Sequence, residues 1–508
     1  MNFSLNSLSH AQVLGLGVAL CLLGYIVTTE LRYRHLWGYP GPILARYTNA
    51  YRAYLAWRYA NRPGGISYHE YLHNKYGTTV RMGPNIVYTD DPDAIPLVLG
   101  FKDRLMKTDH VNALQVPGQP ANIGGIRDEK EHNRSRSAIE VVYSLSSLKG
   151  YEPLVDETIV ELTRVFEDKA RAGEVVNISE WCHYYAYDAI TNVTYGEPTG
   201  FIRNGRDMFD LISSQLKHIA YVRMATQWPF MDYVLRTNPI ALALNKQKAS
   251  RAGTFFQYSA DRVNAEMAKE KRSAVAQKTM LHHLIDARDK HPDVLDDQRV
   301  QMFCTVNLLA GTLSPSFAVD FIMRWLAQNP EKQERVYREV KQHSTTYPVP
   351  LDDTFKMPYL QGLVREGYRL SYASDIGMER VAGPKGIPLR DGRMLPPGYG
   401  IGLSHPAIQK DAAVFGDQPE VCRPDRWMQG PDESLADYKA RKGYMDRTDL
   451  TFSKGSRNCI GKGYTQMEVA KVVASVAARF QLHLAGEAHI RDLLRIRNRL
   501  SVILKGTD

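Results

Sequence analysis

FSKGSRNCIGKGY, residues 452–464, places a lone cysteine, Cys459, among glycines and cations directly before an apolar helical run, MEVAKVVASVAARF. A cysteine that precedes a helix receives backbone N–H groups and the positive end of the helix dipole, which stabilise a thiolate. Gly455 and Gly461 have no side chain, so the backbone can approach a flat macrocycle on both sides of the sulfur. Arg457 can pair with a carboxylate on its rim. The alternative is a structural cysteine buried in a glycine turn.

The composition is that of a globular chain with a large core. Of its 508 residues, 44% are hydrophobic and 23% charged, which excludes disordered, collagen-like and coiled-coil proteins. The five cysteines are scattered and never form a CxxC pair, so neither a disulfide framework nor a zinc cluster is indicated. A formal net charge of +9 suits an acidic partner or an anionic membrane surface. No basic run indicates nucleic-acid binding.

The cysteine stretch matches the pattern FxxGxRxCxG at Phe452, Gly455, Arg457, Cys459 and Gly461. It resembles the haem-binding loop of the cytochrome P-450 family. The stretches YGTTVRMGPN, residues 76–85, and DAITNVTYGEPTG, residues 188–200, are similar to microsomal members of that family from filamentous-fungal secondary metabolism. The resemblance implies haem b as cofactor, with Cys459 as the axial iron ligand. It also implies that Phe452, Arg457 and Gly461 take part in cofactor binding. Chance agreement at five fixed positions is a poor explanation of the match.

A second motif of the same family lies upstream of the cysteine. Glu366 and Arg369 match the family's ExxR helix, and Arg426 in CRPDRW matches the arginine that completes a buried Glu-Arg-Arg network. Two arginines on one carboxylate form a charge-assisted clamp. An isolated i,i+3 pair contributes only roughly 0.2–0.5 kcal/mol, so the inference depends on the order of the motifs along the chain. By resemblance this network is structural and not catalytic.

Three further residues resemble the family's partners of the haem propionates. His132 and Arg136 are four residues apart on one face of a predicted helix, and Arg380 lies in the stretch MERV. The resemblance implies that all three bind the cofactor. For His132 the alternative is an ordinary surface or core histidine.

The oxygen-side motif departs from the family pattern. Residues 298–328 predict one long helix that contains Ala310-Gly311-Thr312-Leu313-Ser314-Pro315, and leucine occupies the position that is usually acidic. Leucine cannot carry a proton, whereas Ser314 keeps the alcohol. Pro315 has no N–H, so the Gly311 carbonyl is left free to hold a water or a substrate group. We therefore expect either that Ser314 and Gly311 deliver protons through water or that the substrate itself supplies a hydroxyl; the alternative is a kinked core helix without this role.

The N-terminal region predicts a membrane anchor. Residues 11–29 contain no charge, and 19 helical residues span roughly 28 Å. Arg32 and Arg34 follow this stretch and no Lys or Arg precedes it, which places the rest of the chain in the cytosol. We expect residues 1–10 in the lumen of the endoplasmic reticulum, 11–29 as a single-pass anchor, 30–42 as a basic and Pro-rich hinge, and 43–508 as one catalytic domain.

The soluble part predicts a mainly α fold with minor β-sheet, as in cytochromes P-450. Helical periodicity runs through residues 128–149, 151–172, 206–221, 254–291, 298–328 and 330–343. Two short alternating stretches around Gly83-Pro84-Asn85 predict a hairpin, and Asp91-Pro92 predicts a helix start. Further strands are expected at 387–403 and 494–504.

The family resemblance also implies partners. Its microsomal members take electrons from NADPH through a flavoprotein reductase in the same membrane, with cytochrome b5 as a further candidate donor. Lys130, Arg134, Lys454 and Lys462 flank the cysteine loop and are candidates for meeting an acidic reductase surface. The alternative for each is an ordinary solvated charge.

The candidate substrate pocket is mostly apolar with a few polar groups. By resemblance its lining includes the loop 104–126, the stretch 206–232 and the residues Phe303, Asn307, Ala310, Ser374 and Asp375. This mixture suits a mid-sized, lipophilic, partly oxygenated molecule, such as a terpenoid, polyketide or alkaloid.

Three functions are compatible with these features. The first is a haem-thiolate monooxygenase that inserts one oxygen atom from O₂ into a lipophilic small molecule. The second is a haem-thiolate enzyme that performs desaturation, coupling or rearrangement without oxygen insertion, which Leu313 keeps open. The third is a membrane-tethered protein that holds haem or a lipophile without turnover.

Overall fold

The fold is mainly helical, as expected. The computed structural model describes residues 9–60, 67–244, 253–269, 277–371, 377–484 and 499–504. Within these ranges the α-helices of nine residues or more are α1 His10–Arg32, α2 Ala50–Ala60, α3 Tyr68–Tyr76, α4 Glu129–Ile139, α5 Leu145–Arg171, α6 Ile178–Tyr195, α7 Leu211–Gln227, α8 Gly253–Met267, α9 Met280–Lys290, α10 Asp297–Ala310, α11 Leu313–Gln328, α12 Pro330–His343, α13 Pro358–Leu370, α14 Leu435–Thr448 and α15 Lys462–Arg479.

Short helices and strands connect the long ones. The shorter α-helices are Ile95–Leu99, Phe201–Asn204, Pro229–Asp232, Pro239–Leu244, Leu351–Thr354, His405–Ile408 and Ala412–Phe415. The strands are β1 Thr79–Gly83, β2 Ile86–Thr89, β3 Val175–Asn177, β4 Met378–Val381, β5 Ile387–Pro388, β6 Met394–Leu395, β7 Gly400–Leu403, β8 Phe480–Leu484 and β9 Arg499–Leu504.

The largest sheet has the order β1-β2-β7-β4. Strands β1 and β2 form the predicted antiparallel hairpin, while β2 and β7 pair in parallel, an arrangement that the long connection of more than 300 residues between them permits. Strand β4, which carries Arg380, was not predicted from the sequence; it pairs antiparallel with β7. Two smaller sheets have the orders β3-β9-β8 and β5-β6.

The main core surrounds α11, which packs against α6, α13 and α15. The sequence predicted one helix over residues 298–328, and this is wrong in one respect: the helix breaks at Gly311 and Thr312 into α10 and α11. The stretch 254–291 is likewise divided, into α8 and α9. Ser144 separates α4 from α5 because its side chain accepts a hydrogen bond from the Ser147 N–H and caps the start of α5.

Helix α1 contrasts with the other long apolar segment. It has 23 residues, and the mean hydropathy of its most apolar window of 18 residues is 2.0. No residue of that window is buried. The helix is therefore long and apolar enough to span a membrane. Residues 297–328 are also long and apolar, but 67% of the corresponding window is buried in the core. Length and composition alone therefore do not distinguish the two segments, whereas burial does.

The expected hinge is docked against the sheet. The Pro40 carbonyl accepts a hydrogen bond of 2.7 Å from the Arg81 N–H on β1. A Cβ atom on Gly41 would lie 2.3 Å from the Arg81 oxygen, so only glycine permits this approach. Leu36 and Tyr39 are buried. Leu36, Tyr39, Pro40 and Gly41 therefore contact the body of the protein, and the hinge over residues 30–42 stays a prediction.

Candidate functional site

Cys459 lies in a cradle of backbone N–H groups at the start of α15. Its own N–H donates to the Phe452 carbonyl at 2.8 Å, which closes the loop. The thiol is exposed, while Gly461 and Lys462 direct their N–H groups at the sulfur. Desolvation raises the pKa of the Cys459 thiol, and these two N–H groups and Arg136 act in the opposite direction. The cradle suits a thiolate whose charge is shared with a metal.

The two glycines of the loop serve different purposes. Gly455 has φ +70°, and a Cβ atom there would lie 1.7 Å from the Leu99 carbonyl oxygen. This glycine is therefore required by a contact within the protein, and its expected part in the approach of a flat ligand stays a prediction. A Cβ atom on Gly461 would lie 4.0 Å from the Cys459 sulfur, so Gly461 is next to the ligand atom itself.

Arg136 holds the residue that precedes the cysteine. Its NH1 group donates to the Asn458 carbonyl and its NH2 group to Asn458 Oδ1, both at 2.7 Å. Such a two-pronged contact fixes the loop relative to α4. The structure thus gives Arg136 a role in orienting Cys459, in addition to the cofactor contact that the sequence suggested.

The side chain of Arg457 is hydrogen-bonded to residues at and just before the start of α4. Its Nε donates to Glu129 Oε2 at 2.7 Å, its NH1 group donates to the Ile126 carbonyl at 2.8 Å, and its NH2 group donates to two further carbonyls at 3.1 and 3.3 Å. An arginine has five N–H donors, so at most one remains for a cofactor carboxylate. Glu129 also balances the charge of Arg457.

Two neighbouring cations have no such balance. Lys107 and Arg380 pair as an isolated β-bridge, and their side chains donate to backbone carbonyls, those of Gly124 and Glu379. Within the described chain neither forms an ion pair with a carboxylate. Desolvation, together with the other cations, lowers the pKa of Lys107 to about 7 and that of Arg380 to about 10.

His132 lies beside the same cations with a buried ring nitrogen, Nδ1, that has no hydrogen-bond partner among the described residues. Burial and the charge of Arg457 lower the pKa of His132 to about 4, so the ring is neutral at pH 7 and can donate one N–H. Two cations without carboxylates and one unsatisfied imidazole fit a ligand that carries two carboxylates, and haem b has two propionates. The residues therefore fit a haem whose iron is bound by Cys459.

The predicted Glu-Arg-Arg network is assembled in the interior. Arg369 donates from Nε and NH2 to the two oxygens of Glu366, both at 2.8 Å, and both side chains are fully buried. Trp427 Nε1 and the Arg423 N–H each add a bond of 2.9 Å to the same carboxylate. Arg426 Nε lies 3.6 Å from Glu366 and donates from its other nitrogens to backbone carbonyls. The network ties α13 to the segment that precedes α14.

The residues at the break between α10 and α11 differ in their exposure to solvent. Ala310 is exposed and Gly311 and Ser314 are half-buried, whereas Thr312 and Leu313 are buried. Among the described residues, nothing donates a hydrogen bond to the Gly311 carbonyl, and the Ser314 hydroxyl makes no hydrogen bond. The structure thus leaves the two predicted groups unengaged.

Three of the predicted pocket residues, Phe303, Asn307 and Ala310, are spaced four and three residues apart on α10 and therefore share one face of that helix. Phe303 packs in the main core, and Asn307 accepts a hydrogen bond of 2.6 Å from the Tyr143 hydroxyl. Along this face the burial ends at Ala310, which is exposed at the end of α10, and the role of all three in a pocket stays a prediction. Ser374 and Asp375 lie outside the described residues.

The comparisons with known proteins agree with this geometry. The family model described as "Cytochrome P450" matches residues 55–503. The chain belongs to the cytochrome P450 family. It is 28% identical to cytochrome P450 monooxygenase cicH of Emericella nidulans, over 91% of this chain and 90% of the relative. It is also 28% identical to cytochrome P450 monooxygenase vrtE of Penicillium aethiopicum, over 92% and 88%.

The four cations that flank the loop of this cytochrome P450 differ in availability. Lys130 and Lys462 are exposed. Arg134 is paired with Asp293, and the half-buried Lys454 donates to the Asp446 carbonyl at 2.6 Å. Lys130 and Lys462 are therefore better placed to meet a partner than the other two.

Sequence reasoning missed two residues of this P450 site. Lys107 gave no signal because it belongs to no motif that the sequence analysis used, and only its bridge to Arg380 shows its place. Gln215 is fully buried and bonded to the central helix at Leu309 and Thr312. Gln215 likewise belongs to no motif, and only its bonds to Leu309 and Thr312 show its place.

Proposed function

We propose that this cytochrome P450 is a membrane-anchored haem-thiolate monooxygenase that oxidises a lipophilic small molecule with O₂ and with electrons from NADPH. The observation that carries the proposal is Cys459, held by Gly461 and Lys462 N–H groups at the start of α15. Haem supplies the iron at which dioxygen is bound and activated when the cofactor is present. The fungal relatives support a secondary metabolite, such as a terpenoid, polyketide or alkaloid, as substrate.

Residues on several segments would hold the haem. Cys459 would supply the thiolate ligand of the iron, and Phe452 and Gly461 shape the loop around it. Arg380, Lys107 and His132 would bind the propionates, with Arg457 contributing through its remaining donor. Arg136 keeps the loop in place through Asn458. Removing water from around these charges strengthens each contact.

Proton delivery depends on Ser314 and Gly311. The Ser314 hydroxyl and the Gly311 carbonyl are both unengaged within the described residues, and together they could hold a water beside Ala310. Such a water would pass on a proton for oxygen activation, and Ser314 would replace it by donating its own proton to the water and recovering one from solvent. This replaces the acid that the family usually places where this chain has Leu313.

The membrane arrangement is an N-terminal anchor in the endoplasmic reticulum, with residues 1–10 lumenal and the catalytic domain cytosolic. Support comes from α1 and from large exposed apolar side chains on the body. These side chains lie just before α2, in α2 itself and in the segment after α7. A hydrogen bond of 2.8 Å from Arg52 in α2 to Gln227 at the end of α7 links these regions. The exposed side chains are Ile43, Leu44, Trp57, Phe230, Leu235 and Ile240. Apolar surface of this kind favours contact with lipid.

Electrons arrive from an NADPH-dependent cytochrome P450 reductase, and cytochrome b5 is a second candidate donor. Lys130 and Lys462 are the cations that attract an acidic partner surface to the thiolate side of the haem. Both are exposed and both flank the Cys459 loop.

A carbon monoxide difference spectrum of the reduced protein tests the proposal. The wild type should give the strongly red-shifted band of a thiolate-bound haem, and Cys459→Ala should lose it while the protein stays folded. A band at the position expected of histidine ligation would contradict Cys459 as the ligand. Absence of haem from folded wild-type protein would contradict the function as a whole.

A second function is favoured by the burial of Leu313 and by the engagement of Thr312 with Gln215. Without an acid at the break, the enzyme would oxidise its substrate by desaturation, coupling or rearrangement. Isotopically labelled O₂ distinguishes the two functions once a substrate is in hand, because label appears in the product only if oxygen is inserted.

A further inference from the structure

The break in the central helix removes backbone hydrogen bonds from several carbonyls, among them those of Leu308 and Leu309 as well as that of Gly311. The Gly311 N–H still donates to the Asn307 carbonyl at 2.8 Å, but the next N–H, that of Thr312, makes no such bond to Leu308. A buried helix carbonyl without a partner is costly, so each one must be satisfied in another way. Thr312 satisfies Leu308 with its side chain, whose hydroxyl donates to that carbonyl at 3.0 Å.

The neighbouring carbonyl, that of Leu309, is reached by a side chain from another helix. Gln215 on α7 donates from Nε2 to the Leu309 oxygen at 2.8 Å and to Thr312 Oγ1 at 2.7 Å. Gln215 is fully buried and Thr312 is almost so. One amide group thus contacts both sides of the break, before Gly311 and after it.

The orientation of this amide is fixed from its other end. The Tyr187 hydroxyl on α6 donates to Gln215 Oε1 at 2.5 Å. The Leu309 carbonyl can only accept a hydrogen bond, so the nitrogen of the amide must face the break. A leucine of similar size would leave the Leu309 carbonyl and the Tyr187 hydroxyl without these partners.

We propose that Gln215 is a positioning residue that sets the shape of the break and, through it, the placement of Gly311 and Ser314 beside the haem iron. The carbonyl and the hydroxyl that handle protons lie within five residues of both Gln215 contacts. A change in those contacts therefore moves the polar groups that face the iron-bound ligand, without touching the thiolate side. This proposal rests on the haem-thiolate function proposed above.

The infrared stretch of carbon monoxide bound to the reduced full-length protein is the readout, because it responds to the polar groups near the bound molecule. Gln215→Leu should shift the stretch or split it into two bands, while the thiolate-type absorption band keeps its wavelength. Gln215→Glu retains one donor if its buried carboxyl is protonated, so its spectrum should lie closer to that of the wild type. Thr312→Val should reproduce the effect of Gln215→Leu, and it serves if that variant does not fold.

Gln333 offers a matched control. It is a buried glutamine that donates to the Leu326 carbonyl of α11 at 3.2 Å and to the Leu482 carbonyl at 3.0 Å. Leu326 is 15 residues beyond Gly311, roughly 22 Å along a helix. Gln333→Leu removes comparable bonds from the same helix, but it should leave the carbon monoxide stretch at the wild-type frequency.

The outcomes separate this inference from the function on which it rests. If the wild type forms the thiolate band and both Gln215→Leu and Thr312→Val keep the wild-type stretch, Gln215 has no positioning role and the function stands. A shift of equal size in Gln333→Leu would also overturn the inference, since general loosening would explain it. If the wild type forms no thiolate band, the proposed function fails first.

Discussion

Gly455 lies so close to Leu99 that a Cβ atom at position 455 would be 1.7 Å from the Leu99 carbonyl oxygen. The loop that carries Cys459 is thus seated on the end of the helix Ile95–Leu99 by a contact that admits no side chain.

Gly455→Ala should therefore displace the cysteine loop. The cost has two parts, the strain of an alanine at positive φ, about 1–2 kcal/mol, and the clash with Leu99. Gly392→Ala is the control, because Gly392 also has a positive φ but has nothing within 4 Å of the added Cβ. We expect Gly392→Ala to retain the thiolate band and Gly455→Ala to lose most of it. Equal thermal stability and equal haem content in the two variants would contradict the seating.

Lys107 and Arg380 should each contribute to haem affinity. Replacing either with methionine removes charge-assisted bonds worth about 1.5–3 kcal/mol, which corresponds to roughly a tenfold to hundredfold faster loss of haem. Transfer of haem to an excess of an apoprotein acceptor measures this rate. Lys102→Met, at an exposed position in the same segment, is the control and should behave as the wild type. An unchanged rate in Lys107→Met would remove Lys107 from the site.

Ser314→Ala should lower the fraction of electrons that reach product. The hydroxyl makes no hydrogen bond to the described protein, so its loss removes a proton donor without removing a structural contact. The ratio of product to NADPH consumed measures this coupling, with hydrogen peroxide as the expected by-product. Ser316→Ala is the control, since the Ser316 hydroxyl is bonded to the Leu313 carbonyl at 2.9 Å. If the ratio of product to NADPH consumed is equal in both variants, the proposed role of Ser314 in proton delivery is wrong.

The combined substitution of Lys130 and Lys462 with alanine should slow reduction by the reductase severalfold at low salt. The difference from the wild type should shrink as salt is raised, because exposed charges are screened over about 10 Å at 0.1 M. Stopped-flow reduction in the presence of carbon monoxide follows the rate. Arg134→Ala, which removes a residue already paired with Asp293, should have a smaller effect. If the reduction rate of the wild type does not change with salt, Lys130 and Lys462 do not attract the reductase.

Glu379 should make the protein sensitive to acid. Its carboxylate is fully buried, and Arg52 and His110, with bonds from Thr108 and Tyr88, outweigh desolvation and hold its pKa at about 2. A depressed pKa stabilises the fold above the ordinary value near 4.5, and this contribution is lost as the pH falls from about 4.5 toward 2.

Arg52→Met should cost about 3–5 kcal/mol at pH 7, because it leaves the carboxylate buried and unpaired. Thermal unfolding between pH 7 and 3 measures both effects. The melting temperature of the wild type should fall as the pH drops below about 4.5, and that of Glu379→Gln should fall less over the same pH range. Parallel pH profiles for the two proteins would show that Glu379 is not the responsible group.

The cysteine loop, the Glu366–Arg369 pair and the hairpin at Gly83 were predictable because each depends on residues within a few positions of one another. Pro315 indicated a kink near Gly311, but the division into two helices was not predictable, because helical periodicity continues across it. Its geometry involves Gln215, which lies almost 100 residues away in the sequence.

For Arg457 the sequence identifies the residue but not its hydrogen-bond partners. Its motif identifies the residue, but its donors are used by carbonyls more than 300 residues earlier in the chain. Only the folded structure shows that Lys107 and Arg380 are left to carry the unbalanced charge.

The bond between Pro40 and Arg81 has a consequence for how substrate arrives. Because Leu36 and Tyr39 are buried and Pro40 is bonded to β1, the membrane-bound α1 that we propose would keep that sheet close to the lipid surface. A lipophilic substrate would then reach the enzyme by lateral diffusion within the bilayer. Its effective concentration would be its mole fraction in the lipid, so the apparent Michaelis constant should rise in proportion to the amount of lipid added at fixed total substrate.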